Sequence, residues 1–305
     1  MTVTGTPYEI RPFEFSETDP AAHEPLVDLH VSRVAGLRRS EAEFWFNNRP
    51  NTRYFHVRTA HVGDELAGWG LSQQPVFFPP EFALVWVVVA REHGGRGIGR
   101  ALYDELLTTV PEGVDTIGTG VRDNDPESVA VAEAHGFVVN QHGINSELLL
   151  TDLPEPVSVA GLTYEDVSDL VFPDEEAVEA MLRDSQTNPE AAVGIISTLE
   201  SFRPYQRTRD FLAVLARLDG EPAAIIAGDI SDRVLDIHYT GVGQRFRGRN
   251  IGFALKQFAH RVAAERGATS SFTTNEESNT GIRHVNARLG YQVVGGMYRL
   301  RRPFP

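Results

Sequence analysis

The sequence predicts an α/β protein in which two similar domains follow one another along the chain. The main observation is a pattern that occurs twice: an apolar run typical of a strand leads through a basic, glycine-containing turn into a helix. The two turns, Gly94–Gly99 and Arg247–Gly252, lie 153 residues apart. This period is about half of the 305-residue chain. It indicates a duplicated domain, because solenoid repeats are only about 20–50 residues long.

Two further landmarks repeat in the same order and at nearly the same spacing. Asn124 precedes a helical segment that ends in His135–Phe137, and Asn275 precedes one that ends in Leu289–Tyr291. Their offsets are 151 and 154 residues. Three ordered landmarks argue against chance similarity and extend the duplication over nearly the whole chain.

In the N-terminal half, hydrophobic periodicity and turn residues predict a strand, two helices, a hairpin and a central strand before the turn. A helix, a strand, a helix and two strands follow it. The run Phe82–Val89 is almost wholly apolar, which is typical of a strand buried on both faces. The predicted positions are 8–13, a helix from the Thr18-Asp19-Pro20 start signal, 40–48, 54–62, 66–71, 82–89, 99–110, 116–121, 126–135, Phe137 and 144–150.

The C-terminal half repeats this order after a segment, Thr151–Val159, that contains two prolines and little to bury. We interpret this segment as the linker, with an edge strand at the domain junction as the alternative. Asp219-Gly220 suits the two-residue turn of a hairpin. The predicted positions are 173–184, 191–200, 209–218, 221–230, 235–242, 250–266, 271–274, 279–289, 291–294 and 297–300. We therefore place an N-terminal domain at residues 1–152, a linker at 153–160 and a C-terminal domain at 161–305.

Composition excludes several classes of function. The chain has no cysteine, so we expect no disulfide, no thiolate metal site and no acyl-cysteine step, and we predict no metal. Its net charge of −14 argues against nucleic acid and suits a cationic partner such as an amine, with solubility alone as the alternative explanation. No apolar run approaches the roughly 20 residues of a membrane span, and the N-terminus lacks the pattern of a signal peptide. We expect a cytoplasmic protein without a membrane partner.

The turn that ends at Gly252 has the features of an anion site. The first N–H groups of a helix have no partner within the helix, and the helix dipole favours an anion there. Glycine lets the backbone approach a ligand, and successive N–H groups in such a turn form an anion-binding concavity. The turn therefore predicts phosphate binding, with an ordinary strand–helix connection carrying solvated arginines as the alternative.

The segment Arg247–Gly252, with the sequence RGRNIG, resembles the Q/R-x-x-G-x-G/A pyrophosphate loop of the GNAT superfamily of N-acetyltransferases. Asn250 stands where the family has its first motif glycine, and asparagine tolerates a left-handed turn better than other residues with a side chain. The resemblance implies two tandem GNAT-type domains, each a mixed, mostly antiparallel sheet flanked by helices. Its asymmetry is similar to that of mycothiol synthases, in which an active C-terminal copy follows a degenerate one.

The resemblance also implies acetyl-CoA as the acyl donor and direct transfer of the acetyl group to a small-molecule amine. The residues that it implies for acetyl-CoA binding lie on the central strand, the loop and a polar asparagine group of the C-terminal copy, and on the corresponding loop of the N-terminal copy. They are Tyr239, Thr240, Val242, Arg247, Gly248, Arg249, Asn250, Ile251, Gly252, Asn275, Asn279 and Asn286, with Val88, Val89, Gly95, Arg96, Gly97, Ile98 and Gly99.

Asp236 and His238 are the candidate catalytic residues. They lie two apart on the otherwise apolar strand 235–242, so they share one face. Asp236 is the predicted general base, directly or through water, and His238 is the second candidate. A solvent-facing or purely structural role is the alternative. The N-terminal copy has Ala83 and Val85 at these positions, so we expect it to be catalytically silent.

The general acid expected from the resemblance, a tyrosine four residues before the last glycine of the helix, is replaced by Ala132 in one copy and Asn286 in the other. Tyr291 and Tyr298 lie near in sequence. The missing tyrosines favour a rival function, a non-catalytic acyl-CoA-binding or sensing protein, whereas Asp236 with His238 favours an enzyme. We predict a monomer or a homodimer.

Overall fold

The computed structural model describes residues 7–16, 21–76, 78–187, 197–208 and 210–305. The chain forms two compact units. The first unit contains residues 1–140 and 298–305, and the second contains residues 141–297. The domain boundaries inferred from the sequence repeat, 1–152 and 161–305, stay a prediction.

The first unit is built on a mixed sheet with the strand order β1-β2-β3-β4-β5, and the C-terminal end of β12 (Gln292–Pro303) lies beside β5. Neighbouring strands from β1 to β4 are antiparallel, whereas β4 and β5 are parallel. Its elements are β1 (Glu9–Pro12), α1 (Glu24–Arg33), α2 (Arg39–Asn47), β2 (Thr52–Val62), β3 (Glu65–Pro75), β4 (Phe82–Val89), α3 (Ile98–Leu107), β5 (Thr116–Arg122) and α4 (Pro126–Ala134).

Helices cover both faces of this sheet. Leu26 of α1 and Phe46 of α2 pack with Trp69 of β3 on one face. On the other face, Leu106 of α3 and Leu300 of β12 share a cluster with Val85. Leu300 therefore belongs to the core of the first unit, although it lies near the end of the chain.

The second unit repeats this architecture with the strand order β6-β11-β10-β9-β8-β7. Here β10 and β11 are parallel, and the other pairs from β6 to β7 are antiparallel. The elements are β6 (Val138–Leu149), β7 (Leu162–Asp166), α5 (Glu175–Ser185), α6 (Leu199–Thr208), β8 (Asp210–Leu218), β9 (Glu221–Ser231), β10 (Val234–Val242), α7 (Ile251–Glu265), β11 (Ser270–Glu276), α8 (Thr280–Leu289) and β12 (Gln292–Pro303).

The strand β8 shows why this sheet is covered on both sides. Leu212 and Val214 pack with α7, whereas Ala213 and Leu215 pack with α5 and α6. Because successive side chains of a strand point to opposite faces, an all-apolar strand must have a core on each side. The prediction of an α/β protein with two mixed, mostly antiparallel sheets flanked by helices is confirmed.

The structure corrects three expectations about elements. Residues 138–149 and residues 292–303 each form one continuous strand, where two strands were expected in each region. Both segments contain glycine, which suggests a turn in sequence but is also compatible with an extended strand. The strand β7 was not predicted, and the predicted helix at 191–200 lies mostly outside the described residues, as does the start signal at 18–20.

Candidate active site

The central feature of the second unit is an opening between its two parallel strands. β10 and β11 are paired only from Val234–Ser270 to Ile237–Thr273. Beyond Ile237, β10 continues to Val242 beside β9, and β11 continues to Glu276 beside β6. The two strands therefore separate towards their carboxyl ends, which is where open α/β sheets bind ligands.

The strand β10 carries a bulge next to this opening. Its register against β9 shifts between Ile237 and Tyr239, so His238 is the extra residue. Bulges bend a strand and redirect a side chain, and they are over-represented beside active sites. Past the bulge, Tyr239 pairs with Ala227 and therefore joins the face of the sheet that carries Asp229 and Asp236.

His238 lies against a buried carboxylate. Its Nε2 contacts Oδ1 of Asp229 on β9, and the Asp229 side chain is only 1% exposed. Asp236 is the direct partner of Asp229 in the ladder, so these three side chains share one face of the sheet. Tyr205 of α6 lies over the histidine, with ring centroids 5.1 Å apart. The structure thus brings the two predicted catalytic residues together and adds Asp229 and Tyr205.

The loop after β10 has the backbone expected of an anion site. Gly248 and Asn250 have φ values of 76° and 61°, and α7 begins directly afterwards. In the first unit, Gly95 and Gly97 have φ values of 73° and 82° before α3. Asn250 therefore occupies the left-handed conformation of the glycine that it replaces, as predicted, and the two loops share one conformation.

Gly252 keeps the start of α7 close to β10. A Cβ atom at this position would lie 3.1 Å from Cγ2 of Val242, and one at Gly99 would lie 3.4 Å from Val89. Ile251, by contrast, is buried in the core beneath the loop. Ile98 has the same role in the first unit. These isoleucines support the loop rather than face its exposed side.

The two arginines of the loop have different environments. Arg247 donates to the Val242 carbonyl (3.1 Å), the Ser185 carbonyl (2.8 Å) and Thr187 Oγ1 (2.8 Å), so it ties the loop to the end of α5. The exposed Arg249 makes no hydrogen bond or ion pair with a described residue. Arg249 is thus the guanidinium that remains for a ligand.

The other residues proposed for the cofactor lie along the opening or support it. Thr240 and Val242 are half-buried on β10 beyond its pairing with β11, and the hydroxyl of Tyr239 bonds to Ser185 Oγ at 2.5 Å. Asn275 and Asn286 are joined, because Asn286 Nδ2 lies 2.7 Å from Asn275 Oδ1. Asn279 occupies the N-cap position of α8 without a side-chain capping bond.

A buried polar cluster lies behind Asn286. The only lysine of the chain, Lys256, is fully buried, and its Nζ donates to Asn286 Oδ1 at 2.6 Å. His260 Nε2 and Ser271 Oγ lie 2.8 and 2.7 Å from the Tyr291 hydroxyl. The Tyr291 ring lies 4.9 Å from Lys256 Nζ.

Burial shifts the pKa values of this cluster. It lowers the pKa of Lys256 to about 7. Burial, with the nearby charge of Lys256, lowers the pKa of His260 to about 3. Burial raises the pKa of Tyr291 above its ordinary value. At neutral pH, His260 and Tyr291 are therefore neutral, and Lys256 is close to its midpoint.

The first unit has the loop without the polar face. Ala83 and Val85 are buried and apolar, and β4 pairs with β3 without a register shift from Gly68–Val89 to Gln73–Leu84. Ala132 lies in the apolar core. In the loop, Arg96 donates to Nδ1 of His93 at 2.9 Å, while Val88 is buried and Val89 is half-buried.

Two segments of the chain match the model of one known protein family. The model of the acetyltransferase (GNAT) family matches residues 19–137 and residues 178–291, which together make up most of the chain. The chain belongs to the GNAT acetyltransferase family. It is an acyltransferase with two GNAT segments, and membership implies acyl transfer from an acyl-CoA.

Solved structures share the fold of this GNAT protein. A tandem GNAT protein from the clavulanic acid biosynthesis pathway is 19% identical, with a TM-score of 0.77, over 98% of this chain and 99% of that one. A GCN5-related N-acetyltransferase from Sphaerobacter thermophilus is 18% identical, with a TM-score of 0.71, over 97% and 95%. A glucosamine N-acetyltransferase region of a fungal GH3 β-N-acetylglucosaminidase is 16% identical (TM-score 0.71) over 99% and 38%.

No protein of curated function matches the chain in sequence. None of the helices in the described ranges has the length and apolar character that crossing a membrane requires. The donor set of the second unit fits an acyl-CoA. The exposed loop offers helix N–H groups and Arg249 for phosphates, and β10 and β11 are no longer paired with each other beyond Ile237 and Thr273.

Proposed function

We propose that this GNAT protein transfers an acetyl group from acetyl-CoA directly to a primary amine of a small molecule, and that the second unit carries the reaction. The observation behind the proposal is the contact between His238 and the buried Asp229, beside Asp236 and the opening of β10 and β11. The first unit, with Ala83 and Val85, has no equivalent group on β4.

The acidic face suits an amine acceptor. An amine arrives mostly as its ammonium form at neutral pH, and the carboxylates of Asp229 and Asp236 attract that cation. The acceptor must lose a proton before it can attack a thioester, so a base beside the bound ammonium accelerates the reaction.

We assign this base to His238. If Nε2 carries the proton and donates to Asp229, then Nδ1 keeps a lone pair that accepts a proton from the ammonium. The Asp229 carboxylate then stabilises the charged ring that forms. Asp236, the base predicted from the sequence, is the competing assignment. In that case Asp236 takes the proton and His238 orients the acceptor or a water.

The loop and the opening hold the acyl donor. We propose that the N–H groups at the start of α7 and the guanidinium of Arg249 bind the pyrophosphate, and that Arg247 holds the loop in shape. The bound thioester supplies the acyl carbon. Holding thioester and amine together contributes much of the rate, because it removes the entropic cost of their encounter.

A screen of primary amines would identify the acceptor and test the proposed reaction. A panel of small primary amines, incubated with acetyl-CoA and the full chain, should release free thiol with at least one amine. The same amine should be recovered as its N-acetyl product. If acetyl-CoA binds but no amine gives thiol release, the chain is an acyl-CoA-binding or sensing protein and the proposal is wrong. A cytoplasmic location and a monomeric or homodimeric state stay predictions.

A further inference from the structure

Lys256 is an unusual residue for the interior of a helix packed on a sheet. It lies on α7 among apolar neighbours such as Leu255 and Ala259, yet it is fully buried. Burying an ammonium is unfavourable unless it is paired, and no carboxylate among the described residues forms an ion pair with it. Its hydrogen-bond partner is a neutral group, Oδ1 of Asn286 at 2.6 Å. A group so placed is a candidate for function.

The contact with Lys256 determines which way the Asn286 amide points. A charged lysine can only donate, so the atom of Asn286 that faces Nζ in that state is the oxygen. The amide nitrogen then points away from Lys256, towards Oδ1 of Asn275 at 2.7 Å. One N–H of Asn286 is used in this bond, and an amide nitrogen has a second N–H to donate.

This row of groups ends at the opening between the parallel strands. Asn275 lies two residues beyond Thr273, the last residue of β11 that pairs with β10. Lys256, Asn286 and Asn275 therefore form a continuous polar row from the core behind α7 to the proposed site of the acyl-CoA arm.

We propose that Lys256 is a positioning residue for the leaving thiolate: it fixes the Asn286 amide so that an N–H faces the sulfur of the bound CoA, and its positive charge strengthens that N–H as a donor. This inference rests on the proposed acetyl transfer in the second unit. Preorganised donors at a developing anion are the largest source of stabilisation in many enzymes.

The step balances without a proton from Lys256. The C–N bond forms as the C–S bond breaks, and the electron pair of the C–S bond goes to sulfur. The ammonium first gives one proton to the general base, which passes it to solvent. The nitrogen gives its second proton to the base as the amide forms, and the sulfur takes one from water on release, so the products are the amide, the thiol and one proton released to solvent. Lys256 itself transfers no proton in this step.

Lys256 is the group of this cluster whose charge changes near neutral pH. His260 on its own helix and Tyr291 before β12 are neutral near pH 7. Asn286 on α8 and Ser271 on β11 carry no charge, and Asp236 on β10 is the carboxylate whose field reaches Tyr291. The effect on the thiolate should therefore weaken as pH rises through the lowered pKa of Lys256, about 7.

The test measures the acidity of the bound thiol, which needs no acceptor. The full chain is saturated with CoA, and the thiolate is titrated by its ultraviolet absorbance. We expect the thiol pKa to be lower in the wild type than in Lys256→Met by up to about one unit, which corresponds to a tenfold change in the ionisation constant, with the full effect confined to the pH range in which Lys256 is still charged. Lys256→Gln keeps a donor for Asn286 but no charge, and it should retain less than half of the shift.

Control outcomes separate this inference from the proposed function. If the wild type does not bind CoA, the proposed function is wrong. If CoA binds and its thiol pKa is the same in the wild type and Lys256→Met, the role of Lys256 is refuted. Circular dichroism checks that each variant folds, and Asn286→Leu with Lys256→Met replaces the pair by apolar groups should the single variant fail to fold. With an amine acceptor, Lys256→Met should lower kcat about tenfold and leave KM for acetyl-CoA within about twofold.

Discussion

The pairing of His238 with Asp229 is the residue-scale feature that decides the proposed chemistry. Asp229 follows a run of buried apolar residues in β9 and is itself almost completely buried, so it requires a partner. His238, the extra residue of the bulge in β10, is that partner. A base held by a buried carboxylate has a defined tautomer and orientation, which is the arrangement that proton abstraction needs.

Substitution of the three polar residues separates the two assignments of the base. His238→Ala should lower kcat by about 10²–10⁴-fold, the usual contribution of a general base, while acetyl-CoA affinity stays near the wild-type value. Raising the pH should recover part of this loss, because more of the amine then arrives neutral. Asp229→Asn should lower kcat by a similar factor to His238→Ala. If Asp236→Asn shows the larger loss and His238→Ala keeps nearly full turnover, Asp236 is the base.

Lys256 and His260 should make the stability of the protein depend on pH. Both pKa values are lowered by burial, from 10.5 to about 7 and from 6.5 to about 3. The unfolded chain therefore binds more protons than the folded one within each window, so the free energy of unfolding should rise with pH from about 3 to 6.5 and again from about 7 to 10.5.

Lys256→Met should remove the increase in the free energy of unfolding between about pH 7 and pH 10.5. Urea denaturation followed by circular dichroism should show the variant more stable than the wild type near pH 6, with the difference shrinking towards pH 10, because the wild type no longer buries a charge there. A constant difference across this range would show that the Lys256 pKa is not lowered by folding.

At the scale of an element, the loop between β10 and α7 contains two arginines with different roles. Arg247 holds the loop in place, and Arg249 is available to a ligand. The guanidinium of Arg247 donates hydrogen bonds to the Val242 carbonyl and to residues at the end of α5. Arg249 is exposed and unpaired among the described residues. The loop can therefore keep its anion-binding backbone in the absence of a ligand while one guanidinium stays available.

This division predicts different consequences for the two arginines. Arg249→Gln should weaken acetyl-CoA binding about five- to tenfold and reduce its dependence on salt, because an exposed charge at a phosphate is screened by ions. It should leave the melting temperature unchanged. Arg247→Gln should weaken binding at least as much and also lower the melting temperature, since it loosens the loop. Calorimetry measures both; equal effects on stability would contradict the division.

At the scale of the whole molecule, the two units share a fold and a loop but differ in their polar groups. Gly99 and Gly252 are equivalent positions at the start of α3 and α7, 153 residues apart. Both lie close to the preceding strand, against Val89 and Val242 respectively. They offer a matched pair for asking which unit turns over substrate.

Gly252→Glu should abolish most acetyl transfer, because a carboxylate at the helix N-terminus repels the pyrophosphate. Gly99→Glu should leave the steady-state rate within about twofold. Both rates are measured with the same amine, after thermal denaturation has shown that each variant folds. A larger loss in Gly99→Glu would place catalysis in the first unit.

The core of the first unit depends on the last residues of the chain. Leu300 is 1% exposed and packs with Val85, Tyr103 and Leu106. Leu300→Ala should therefore destabilise the first unit by about 2–5 kcal/mol. The three tryptophans, Trp45, Trp69 and Trp86, all lie in this unit, so their fluorescence reports its unfolding.

A denaturant titration followed by tryptophan fluorescence should show the midpoint of Leu300→Ala well below that of the wild type. The control is Val293→Ala, also on β12, because Val293 is 65% exposed and its loss removes little packing. An unshifted fluorescence midpoint for Leu300→Ala would contradict the assignment of these residues to the first unit.

The sequence by itself determined the features that depend on local chemistry and on repetition. The duplication follows from landmarks 153 residues apart, and the left-handed conformation of Asn250 follows from the few residue types that tolerate it. Asp236 and His238 stood out as polar residues in an apolar strand. These properties involve neighbouring residues, so they can be read before the fold is known.

Only the tertiary structure decided which distant residues meet. Asp229 and His238 touch because β9 and β10 pair in a register that sets Asp229 opposite Asp236, and Lys256 meets Asn286 across 30 positions of sequence. The end of β12 joins the first unit although it follows the second in sequence. The physical reason is the same in each case. Strand pairing and core packing act between segments far apart along the chain, and local propensities do not specify those partners.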